Sequence, residues 1–324
     1  MSQQSEFIFA LSTTVFLAYV VLVGTHSKHS AMPLQKHCRK LCSQASKIFR
    51  KFLVHILQQG PIPKHVAFIM DGNRRFARKS HQVTTSGHVA GFHKLANVLE
   101  WCNDLGIKHV SVFAFAINNF NRSEEEVSAL MHLAKDKLKE LADNSELVRY
   151  HGARIRIVGN KALLPSEVRQ VMDYAEKTTQ DNKGMTLNVC FPYSSTDEMT
   201  SAIRALIADA ESGKLQESEI SEGALESRLQ IPGPDLDILV RTSGQIRFSN
   251  FMLWQSSKMA YIQFIDVYWP EFSLFHMLSI MISWQCAYLG IEKKKQTVAE
   301  CARPCMLSAS VSDDETCCSE REAA

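Results

Sequence analysis

The sequence lacks the motifs and the charge imbalance that mark several large classes of protein. Neither a Walker motif (G-x-x-x-x-G-K-S/T) nor G-x-G-x-x-G occurs in its 324 residues. Because such glycine-rich loops hold nucleotide phosphates, their absence argues against a kinase or a dinucleotide-dependent enzyme. The 36 Lys and Arg residues nearly balance the 34 Asp and Glu residues, for a formal net charge of +2. This balance argues against a nucleic acid as the main partner.

The sequence also lacks a metal-binding arrangement of cysteines. Of its nine cysteines, Cys38 and Cys42 are separated by three residues, as are Cys301 and Cys305, and no pair of histidines follows at zinc-finger spacing. A structural zinc site is therefore not predicted. In a cytosolic domain, we expect the thiols to stay reduced.

Charged residues are missing from Phe7–Thr25. As a helix, this segment reaches about 28 Å, close to the thickness of the hydrocarbon layer of a membrane. A membrane anchor, a cleaved signal peptide and a buried helix remain open, although Glu6 precedes the segment where a signal peptide usually has Lys or Arg. Basic residues follow the segment and favour a cytosolic carboxyl-terminal side: Lys28, Lys36, Arg39 and Lys40.

The remaining boundaries come from changes in pattern. We expect an anchor with a basic flank over residues 1–40, an amphipathic helix and linker over 41–63, a main domain over 64–290 and a disordered tail over 291–324. The helix over Leu41–Gln59 has one apolar face beside basic residues. It suits a membrane surface or the mouth of a hydrophobic tunnel, and it equally suits packing on the main domain.

Apolar strands alternate with amphipathic helices through the central region, and this alternation predicts an α/β fold. We expect a mostly parallel sheet of about six strands with helices on both faces. The predicted strands are Val66–Met70, His109–Phe115, Arg154–Val158, Met185–Phe191, Asp237–Arg241 and Tyr261–Phe264. The predicted helices are Gly87–Leu105, Ser123–Tyr150, Pro165–Asn182, Ser195–Ser212 and Ser273–Trp284, with capping boxes at Ser123 and at Ser195/Glu198.

The first predicted strand ends in a group of residues suited to a phosphate. Asp71, Gly72, Asn73, Arg74 and Arg75 follow the apolar run directly. Glycine allows backbone N–H groups to approach a ligand, arginine matches phosphate oxygens with two donors, and a helix beginning here adds its positive end. An aspartate among these cations suits a divalent metal that the phosphate also binds. The alternative is a strand–turn–helix corner with a surface ion pair.

A second apolar strand ends in a similar group. Arg241, Thr242, Ser243 and Gly244 are followed by Arg247 and Ser249. Guanidinium and hydroxyl groups here form a second candidate anion pocket. Because open α/β sheets bind ligands at the carboxyl ends of their strands, we expect two phosphorylated groups to bind side by side.

Taken together, these segments resemble the cis-prenyltransferase family, which includes the undecaprenyl diphosphate synthases. The matching segments fall in the family's order over roughly residues 64–290. They are His65–Phe76, Gly87–Gly91, Phe113–Phe115, Asn119–Ser123, Ile155–Gly159, Leu187–Val189, Arg241–Gln255 and Trp269–Phe272. The resemblance implies an undecaprenyl diphosphate synthase-like fold. It also implies that the Ser123 helix helps to wall a tunnel for the growing prenyl chain, whereas its apolar stripe by itself indicates only core packing.

The resemblance also implies roles for individual residues. Asp71 would bind Mg²⁺, and Asn73 would help to orient the reacting group. Gly72, Arg74, Arg75 and His88 would hold the allylic diphosphate, although His88 alone also fits a buried core histidine. Isopentenyl diphosphate would be held by Arg241, Arg247 and Ser249.

The sequence departs from the family at several positions and indicates a partner. Thr84, Ala116, Asn118, Gln245 and Ala260 stand where the family usually has Arg, Ser, Glu, Glu and often a metal-binding Glu. After Trp284, Arg303 and Arg321 have no glycine two residues later, so the Arg-x-Gly motif of single-subunit members is missing there. Catalytic subunits of the eukaryotic two-subunit enzymes, the dehydrodolichyl diphosphate synthases, also lack it. We therefore expect an accessory subunit of the Nogo-B receptor type to supply it.

These implications combine into one expected function. The enzyme would condense isopentenyl diphosphate with farnesyl diphosphate into a long-chain polyprenyl (dehydrodolichyl) diphosphate for dolichol synthesis and protein glycosylation, with Mg²⁺ as cofactor. It would lie at the endoplasmic reticulum membrane with its catalytic domain in the cytosol. The alternative is a degenerate paralogue that binds or scaffolds without turnover.

Overall fold

The structure is a computed structural model that describes residues 50–301, with side chains described for residues 50–292. The chain divides into two units, Met1–Leu53 and Val54–Ala324. The predicted anchor at Phe7–Thr25, its basic flank, residues 41–49 of the amphipathic segment and residues 302–324 lie outside the described residues. Residues 50–57 form a helix, here α1.

Six parallel strands form one sheet in the order β3-β4-β2-β1-β5-β6. The strands are β1 (His65–Ile69), β2 (His109–Phe113), β3 (Arg154–Val158), β4 (Thr186–Cys190), β5 (Ile238–Arg241) and β6 (Tyr261–Phe264). All six predicted strands are found, and the prediction of a mostly parallel sheet is confirmed. Every residue of β1 and of β5 is buried, so both faces of the sheet are covered at its centre.

The helices after α1 are α2 (Asn73–Lys79), α3 (Thr84–Leu105), α4 (Glu124–Asn144), α5 (Glu146–Arg149), α6 (Ser166–Thr179), α7 (Ser195–Glu211), α8 (Glu222–Glu226), α9 (Leu253–Ser256) and α10 (Leu274–Cys301). Short 3₁₀ helices lie at Ile117–Asn121, Lys161–Leu163, Glu217–Glu219 and Trp269–Glu271. All five predicted helices are present, but three predictions about where they begin or end are wrong.

The predicted single helix over Ser123–Tyr150 is two helices. Ser145 is extended, with φ −70° and ψ 131°, and its hydroxyl accepts a hydrogen bond from the backbone N–H of Val148 at 3.3 Å. A serine that caps a new helix in this way competes with the continuation of the old one. Of the capping box predicted at Ser123, the serine cap is confirmed, because its hydroxyl accepts from the N–H of Glu126 at 3.4 Å, whereas the Glu126 carboxylate accepts from Arg122.

The predicted capping box of Ser195 with Glu198 is wrong. Ser194 caps α7 instead, by accepting a hydrogen bond from the N–H of Asp197 at 3.2 Å. Ser195 and Glu198 are each only 1% exposed and form hydrogen bonds with other segments. The Ser195 and Glu198 side chains therefore serve to bond other segments of the chain, and their spacing does not mark a helix cap.

The last helix is longer than predicted. α10 continues past Trp284 to Cys301. It therefore extends beyond residue 291, where the sequence predicts the start of a disordered tail. Among the described residues, its segment Leu274–Glu292 is long and apolar enough to cross a membrane by length and composition. The same segment packs into the domain through Met277, Met281 and Trp284.

An aromatic cluster supports the carboxyl end of β1. The rings of Trp269 and Phe272 stack with centroids 5.6 Å apart, and Trp269 lies 5.8 Å from Phe68 of β1. The backbone N–H of Trp269 donates to the carbonyl of Asp71 at 3.0 Å, and its indole N–H donates to the carbonyl of Gly91 at 2.8 Å. The core is thereby joined directly to the first predicted phosphate-binding segment.

Candidate active site

The turn between β1 and α2 holds the Asp71 carboxylate beside the tightly packed backbone of Gly72. Gly72 has a φ of 105° and donates its N–H to Asp71 Oδ1 at 2.7 Å. A Cβ at this position would lie 2.9 Å from the Tyr268 ring and 3.0 Å from the Cβ of Ser243. Only glycine fits this position, because both the left-handed backbone and the close neighbours exclude a side chain.

Two glycines of α3 receive the beginning of α2. A Cβ at Gly87 would lie 2.2 Å from the carbonyl oxygen of Asn73, and one at Gly91 would lie 2.5 Å from Asn73 Oδ1. The four-residue spacing of these glycines puts both on one face of α3. The Asn73 amide oxygen is buried there and has no hydrogen-bond partner within the described part of the chain. The structure thus places Asn73 at the contact of α2 with α3, and its predicted orienting role stays a prediction.

Arg241 at the end of β5 is the centre of the second predicted group. Pairing of β1 with β5 sets Ile69 opposite Arg241, so that the two strand ends meet. Arg241 donates from Nη2 to Asp71 Oδ2 at 2.9 Å and from Nη1 to Ser249 Oγ at 2.7 Å and to the carbonyl of Arg247. The hydroxyl of Thr242 donates to the carbonyl of Asp71 at 2.7 Å. The two predicted groups therefore form one site.

The Arg241 guanidinium is held in an environment that favours an anionic partner. The side chain is 3% exposed, and burial lowers the pKa of Arg241, while its hydrogen bond to the Asp71 carboxylate raises it. An arginine stays charged under such conditions. Its Nε is buried and, among the residues described, has no hydrogen-bond partner. A buried positive charge with a donor still free is a strong site for phosphate oxygens.

Arg75 belongs with Arg241 rather than with Arg74. Its guanidinium donates to the backbone oxygen of Ser243 at 3.3 Å and to the Ser243 hydroxyl, and it lies 3.5 Å from Asp71 Oδ1. It also lies over the ring of Tyr268, 5.6 Å from the ring centroid. Arg74 and Arg75 therefore have different carboxylate partners, and their predicted shared role in holding the allylic diphosphate stays a prediction.

Three basic side chains converge on Glu126, a carboxylate that the sequence did not indicate as functional. Arg122 donates to Glu126 Oε1 at 2.8 Å, Arg74 lies 3.6 Å from Oε2, and His88 Nε2 lies 3.9 Å from Oε1. The sequence pattern identified Glu126 only as part of a helix cap at Ser123. The matching segment Asn119–Ser123 was the available signal for Arg122.

His88 is a neutral donor or acceptor in this cluster. Burial, and then the positive charge of Arg122, lowers the pKa of His88 below its usual value, although Glu126 opposes this. Its Nε2 is buried and lacks a hydrogen-bond partner among the described residues. His88 is thus placed beside Arg74, as the prediction of a shared phosphate requires.

Arg247 lies at the edge of the site. Its guanidinium is exposed and donates to Gln245 Oε1, while its backbone carbonyl accepts from Arg241.

Three of the positions at which the sequence departs from the family pattern have different surroundings. Thr84 is exposed at the first turn of α3, Asn118 is exposed in a 3₁₀ helix, and Ala260 packs against the apolar core. None of these three residues replaces the cation or carboxylate that the family usually has there.

A surface groove of about 370 Å³ borders Arg122 and follows α4 and the start of α6. The apolar stripe of α4 includes Val127, Met131, Leu138 and Leu141, and of these Val127 and the buried Met131 line the groove, whereas Leu138 and Leu141 do not. The predicted tunnel wall is therefore only partly recognisable in this helix, and its role stays a prediction.

The site as a whole has an excess of positive charge at the carboxyl edge of the sheet. Four guanidinium groups, those of Arg74, Arg75, Arg122 and Arg241, are arranged around the carboxylates of Asp71 and Glu126. Among the side chains named above for this site, no nucleophile lies beside a base that could activate it. Such an arrangement can bind polyanions and stabilise a diphosphate leaving group.

Comparison with known proteins gives a consistent result. Residues 69–288 match the family model described as putative undecaprenyl diphosphate synthase. The chain is 40% identical over 254 residues to the dehydrodolichyl diphosphate synthase complex subunit DHDDS of Homo sapiens, covering 78% of this chain and 76% of that protein. It is 42% identical over 234 residues to the dehydrodolichyl diphosphate synthase complex subunit of Schizosaccharomyces pombe, covering 72% and 89%.

A solved structure gives the same result for the fold. Lavandulyl diphosphate synthase from Lavandula x intermedia, in complex with dimethylallyl diphosphate, is similar with a TM-score of 0.64 and 31% sequence identity. The match covers 69% of this chain and 95% of that one. The prediction of an undecaprenyl diphosphate synthase-like fold is confirmed.

Proposed function

This chain belongs to the undecaprenyl diphosphate synthase family of prenyltransferases and is a transferase of prenyl groups, and we propose that it is the catalytic subunit of a dehydrodolichyl diphosphate synthase. It condenses isopentenyl diphosphate with farnesyl diphosphate in cis geometry to give a long-chain polyprenyl diphosphate. The names of the curated relatives support this product class. The degenerate-paralogue alternative is not favoured.

One observation carries the proposal: the bond of Arg241 to Asp71 at 2.9 Å joins two basic strand ends into one site. The reaction must hold two diphosphates close together and stabilise the one that leaves. In this proposal, Arg241, Arg247 and Ser249 hold isopentenyl diphosphate. Gly72, Arg74, Arg75 and His88 hold the allylic diphosphate, with Arg122 as an additional cation.

We propose Mg²⁺ as the cofactor. Asp71 is a partly exposed carboxylate whose Oδ1 accepts one backbone N–H at 2.7 Å and has Arg75 at 3.5 Å. Among the described residues there is no group of three or more His, Cys, Asp or Glu side chains placed to hold a metal ion. Asp71 fits Mg²⁺ if diphosphate oxygens and water supply the other ligands, as is usual for this ion. When bound, Mg²⁺ would neutralise charge on the leaving diphosphate.

A partner and a membrane are part of the proposal. Both relatives are named as complex subunits, which supports an accessory subunit, here one of the Nogo-B receptor type that supplies Arg-x-Gly. The uncharged Phe7–Thr25 segment supports attachment to the endoplasmic reticulum membrane with the catalytic domain in the cytosol. Extraction of cell membranes with alkaline carbonate tests the attachment: the full chain should stay in the pellet, and its release would contradict a membrane-spanning segment.

The activity itself is tested with radiolabelled isopentenyl diphosphate. The purified full chain is incubated with farnesyl diphosphate and Mg²⁺, with and without the accessory subunit, and labelled product is extracted into organic solvent and sized. We expect Mg²⁺-dependent incorporation into long polyprenyl chains when the partner is present. Binding of both substrates without incorporation, even with the partner, would support the degenerate paralogue instead.

A further inference from the structure

The segment after Arg241 contains several residues in the left-handed backbone region. Ser249, Asn250 and Met252 have φ values of 49°, 62° and 47°. Non-glycine residues rarely adopt this conformation, and asparagine tolerates it best. It persists at functional sites when the surrounding structure holds it in place. The contacts that hold this segment are therefore informative.

The beginning of α7 holds the segment through Asn250. Asn250 Oδ1 accepts hydrogen bonds from the backbone N–H and from the hydroxyl of Thr196, both at 3.1 Å. Asn250 Nδ2 donates to the hydroxyl of Ser194 at 3.2 Å, and the backbone carbonyl of Asn250 accepts from the N–H of Ser195 at 2.8 Å. Both ends of the Asn250 amide are thus engaged by the first turn of one helix.

Neighbouring residues of α7 hold the positions that follow. The hydroxyl of Ser195 accepts from the N–H of Leu253 at 2.8 Å, and Glu198 Oε2 accepts from Gln255 Nε2 at 3.1 Å and from the Tyr193 hydroxyl at 2.6 Å. The buried Ser195 and Glu198 therefore fasten residues 253–255. Among the residues that the structure describes, the hydrogen bonds from the beginning of α7 to the left-handed residues themselves all go to Asn250.

The held segment carries the groups that orient Arg241. Ser249 Oγ and the carbonyl of Arg247 both accept from Arg241 Nη1, which leaves Nη2 for Asp71. We propose that Asn250 is a positioning residue for the isopentenyl diphosphate pocket: by fastening residues 247–250 to α7, it holds the two acceptors of Arg241 Nη1 and so sets the orientation of this guanidinium in the pocket, while the bond from Nη2 to Asp71 stays in place. The identity of the ligand rests on the proposed function, whereas the orientation of Arg241 does not.

Asn250→Gly separates the side-chain bonds from the backbone conformation. Glycine adopts a φ of 62° freely, so that the variant loses only the bonds to Thr196 and Ser194. The full chain in complex with its accessory subunit is assayed by steady-state kinetics. We expect the KM for isopentenyl diphosphate to rise about tenfold, the value of roughly one net hydrogen bond, with less than about a twofold change in the KM for farnesyl diphosphate.

Two further variants distinguish positioning from general stability. Asn250→Asp keeps an acceptor for Thr196 at the positive end of α7 and should restore most of the affinity for isopentenyl diphosphate. Asn182→Ala removes a comparable amide bond, from Nδ2 to the carbonyl of Ala153 at 2.8 Å, away from the site. It should lower the thermal midpoint without changing either KM. An equal rise of both KM values in Asn250→Gly, or the same rise in Asn182→Ala, would overturn the proposal.

A second measurement keeps the test independent of the substrate. The ¹⁵N NMR signals of the Arg241 guanidinium are recorded in the wild-type chain and in Asn250→Gly, with assignment by Arg241→Lys. We expect the signals to shift and their protons to exchange faster with water in the variant. Unchanged signals would overturn the positioning role. Wild-type protein that neither binds nor consumes isopentenyl diphosphate would refute the proposed function, and the NMR comparison would still decide the role of Asn250.

Discussion

Arg241 donates a hydrogen bond to Asp71 at 2.9 Å, and this single bond links the carboxyl ends of two neighbouring parallel strands. Each strand end was recognisable in the sequence as a separate basic group. Their pairing means that neither group is complete alone, because the carboxylate of one orients the guanidinium of the other. Substitutions at these two positions should therefore affect both substrates.

Asp71→Asn should abolish turnover while the protein stays folded. The amide keeps a hydrogen-bond acceptor for Arg241 but loses the charge that pairs with it and that would hold Mg²⁺, so we expect a loss of about a hundredfold or more in kcat. Circular dichroism checks the fold. Asp235→Ala is the control, since Asp235 is an exposed partner of Lys258. More than a tenth of wild-type activity, with Mg²⁺ still required, would contradict the metal role.

Arg247→Ala should raise the KM for isopentenyl diphosphate far more than that for farnesyl diphosphate. Its guanidinium is exposed at the edge of the site and contacts Gln245, so its loss removes one phosphate contact without disturbing Asp71. Arg241→Ala, by contrast, leaves Asp71 without its partner and should affect both substrates.

Arg228→Ala provides the control for these two variants. Arg228 pairs with Asp209 in a part of the chain that contributes no residue to the site. It should leave both KM values unchanged. If Arg247→Ala weakens both substrates equally, the assignment of Arg247 to the isopentenyl diphosphate pocket is wrong.

The strands and much of the site were predictable because both depend on local patterns. Apolar runs such as those of β1 and β5 are typical of strands buried on both faces, and the structure buries every residue of each. The residues that follow them lie at one edge of the sheet because parallel strands all end there. Asp71 and Arg241 could therefore be placed in the same region, although their bond required the register of the two strands.

Other features depend on contacts between distant segments and left no local signal. Glu126 resembles an ordinary helix-capping residue, and only the fold brings Arg74 and His88 to it. The bonds of Asn250 to Thr196 join segments that no periodicity relates. Likewise, the break at Ser145 depends on a hydroxyl that caps a new helix, which the continuous apolar pattern conceals.

Gly87→Ala and Gly290→Ala should change stability in opposite directions. A Cβ at Gly87 would lie 2.2 Å from the backbone oxygen of Asn73, which cannot move without displacing the start of α2. We expect a loss of about 1–3 kcal/mol in the free energy of unfolding, together with lower activity.

Gly290 is the matched control, because it lies within α10 and a Cβ there would meet nothing within 4 Å. Alanine should stabilise the helix there by up to about 1 kcal/mol without changing activity. Urea unfolding followed by circular dichroism measures both variants. Equal stability of Gly87→Ala and wild type would show that α2 and α3 are not in this close contact.

His65 should make the domain less stable as the pH falls from 6.5 towards 4. Burial lowers the pKa of His65 to about 4 in the folded chain, and the ring is held by the Ser111 hydroxyl at 2.8 Å and the carbonyl of Pro234 at 3.1 Å. Over this range the unfolded chain binds a proton that the folded chain does not. The free energy of unfolding should therefore decrease by about 1.4 kcal/mol per pH unit for this group, and be unaffected by it above pH 6.5.

His65→Gln isolates this contribution from those of other histidines. His88 and His109, whose pKa values are also lowered mainly by burial, act in the same direction and remain in the variant. Urea unfolding at several pH values should give a shallower pH dependence for His65→Gln than for wild type. Parallel curves for His65→Gln and wild type would show that His65 does not titrate differently on folding.

The purified chain should have little activity alone and should become active when an accessory subunit carrying Arg-x-Gly is added. The physical reason is incomplete neutralisation of the diphosphates: Thr84 stands where the family usually has an arginine, and the cations at Glu126 and Asp71 are each paired with a carboxylate. An arginine and backbone N–H groups supplied by a second subunit would complete the site, as arginines supplied in trans do in other phosphoryl-binding enzymes.

Substituting that arginine of the accessory subunit with alanine should lower kcat without weakening the complex. Gel filtration and calorimetry measure the strength of the complex. Thr84→Arg tests the same idea from this chain, since a restored cation should raise the activity of the chain alone. Full activity of the purified chain without its partner would refute the requirement for a second subunit.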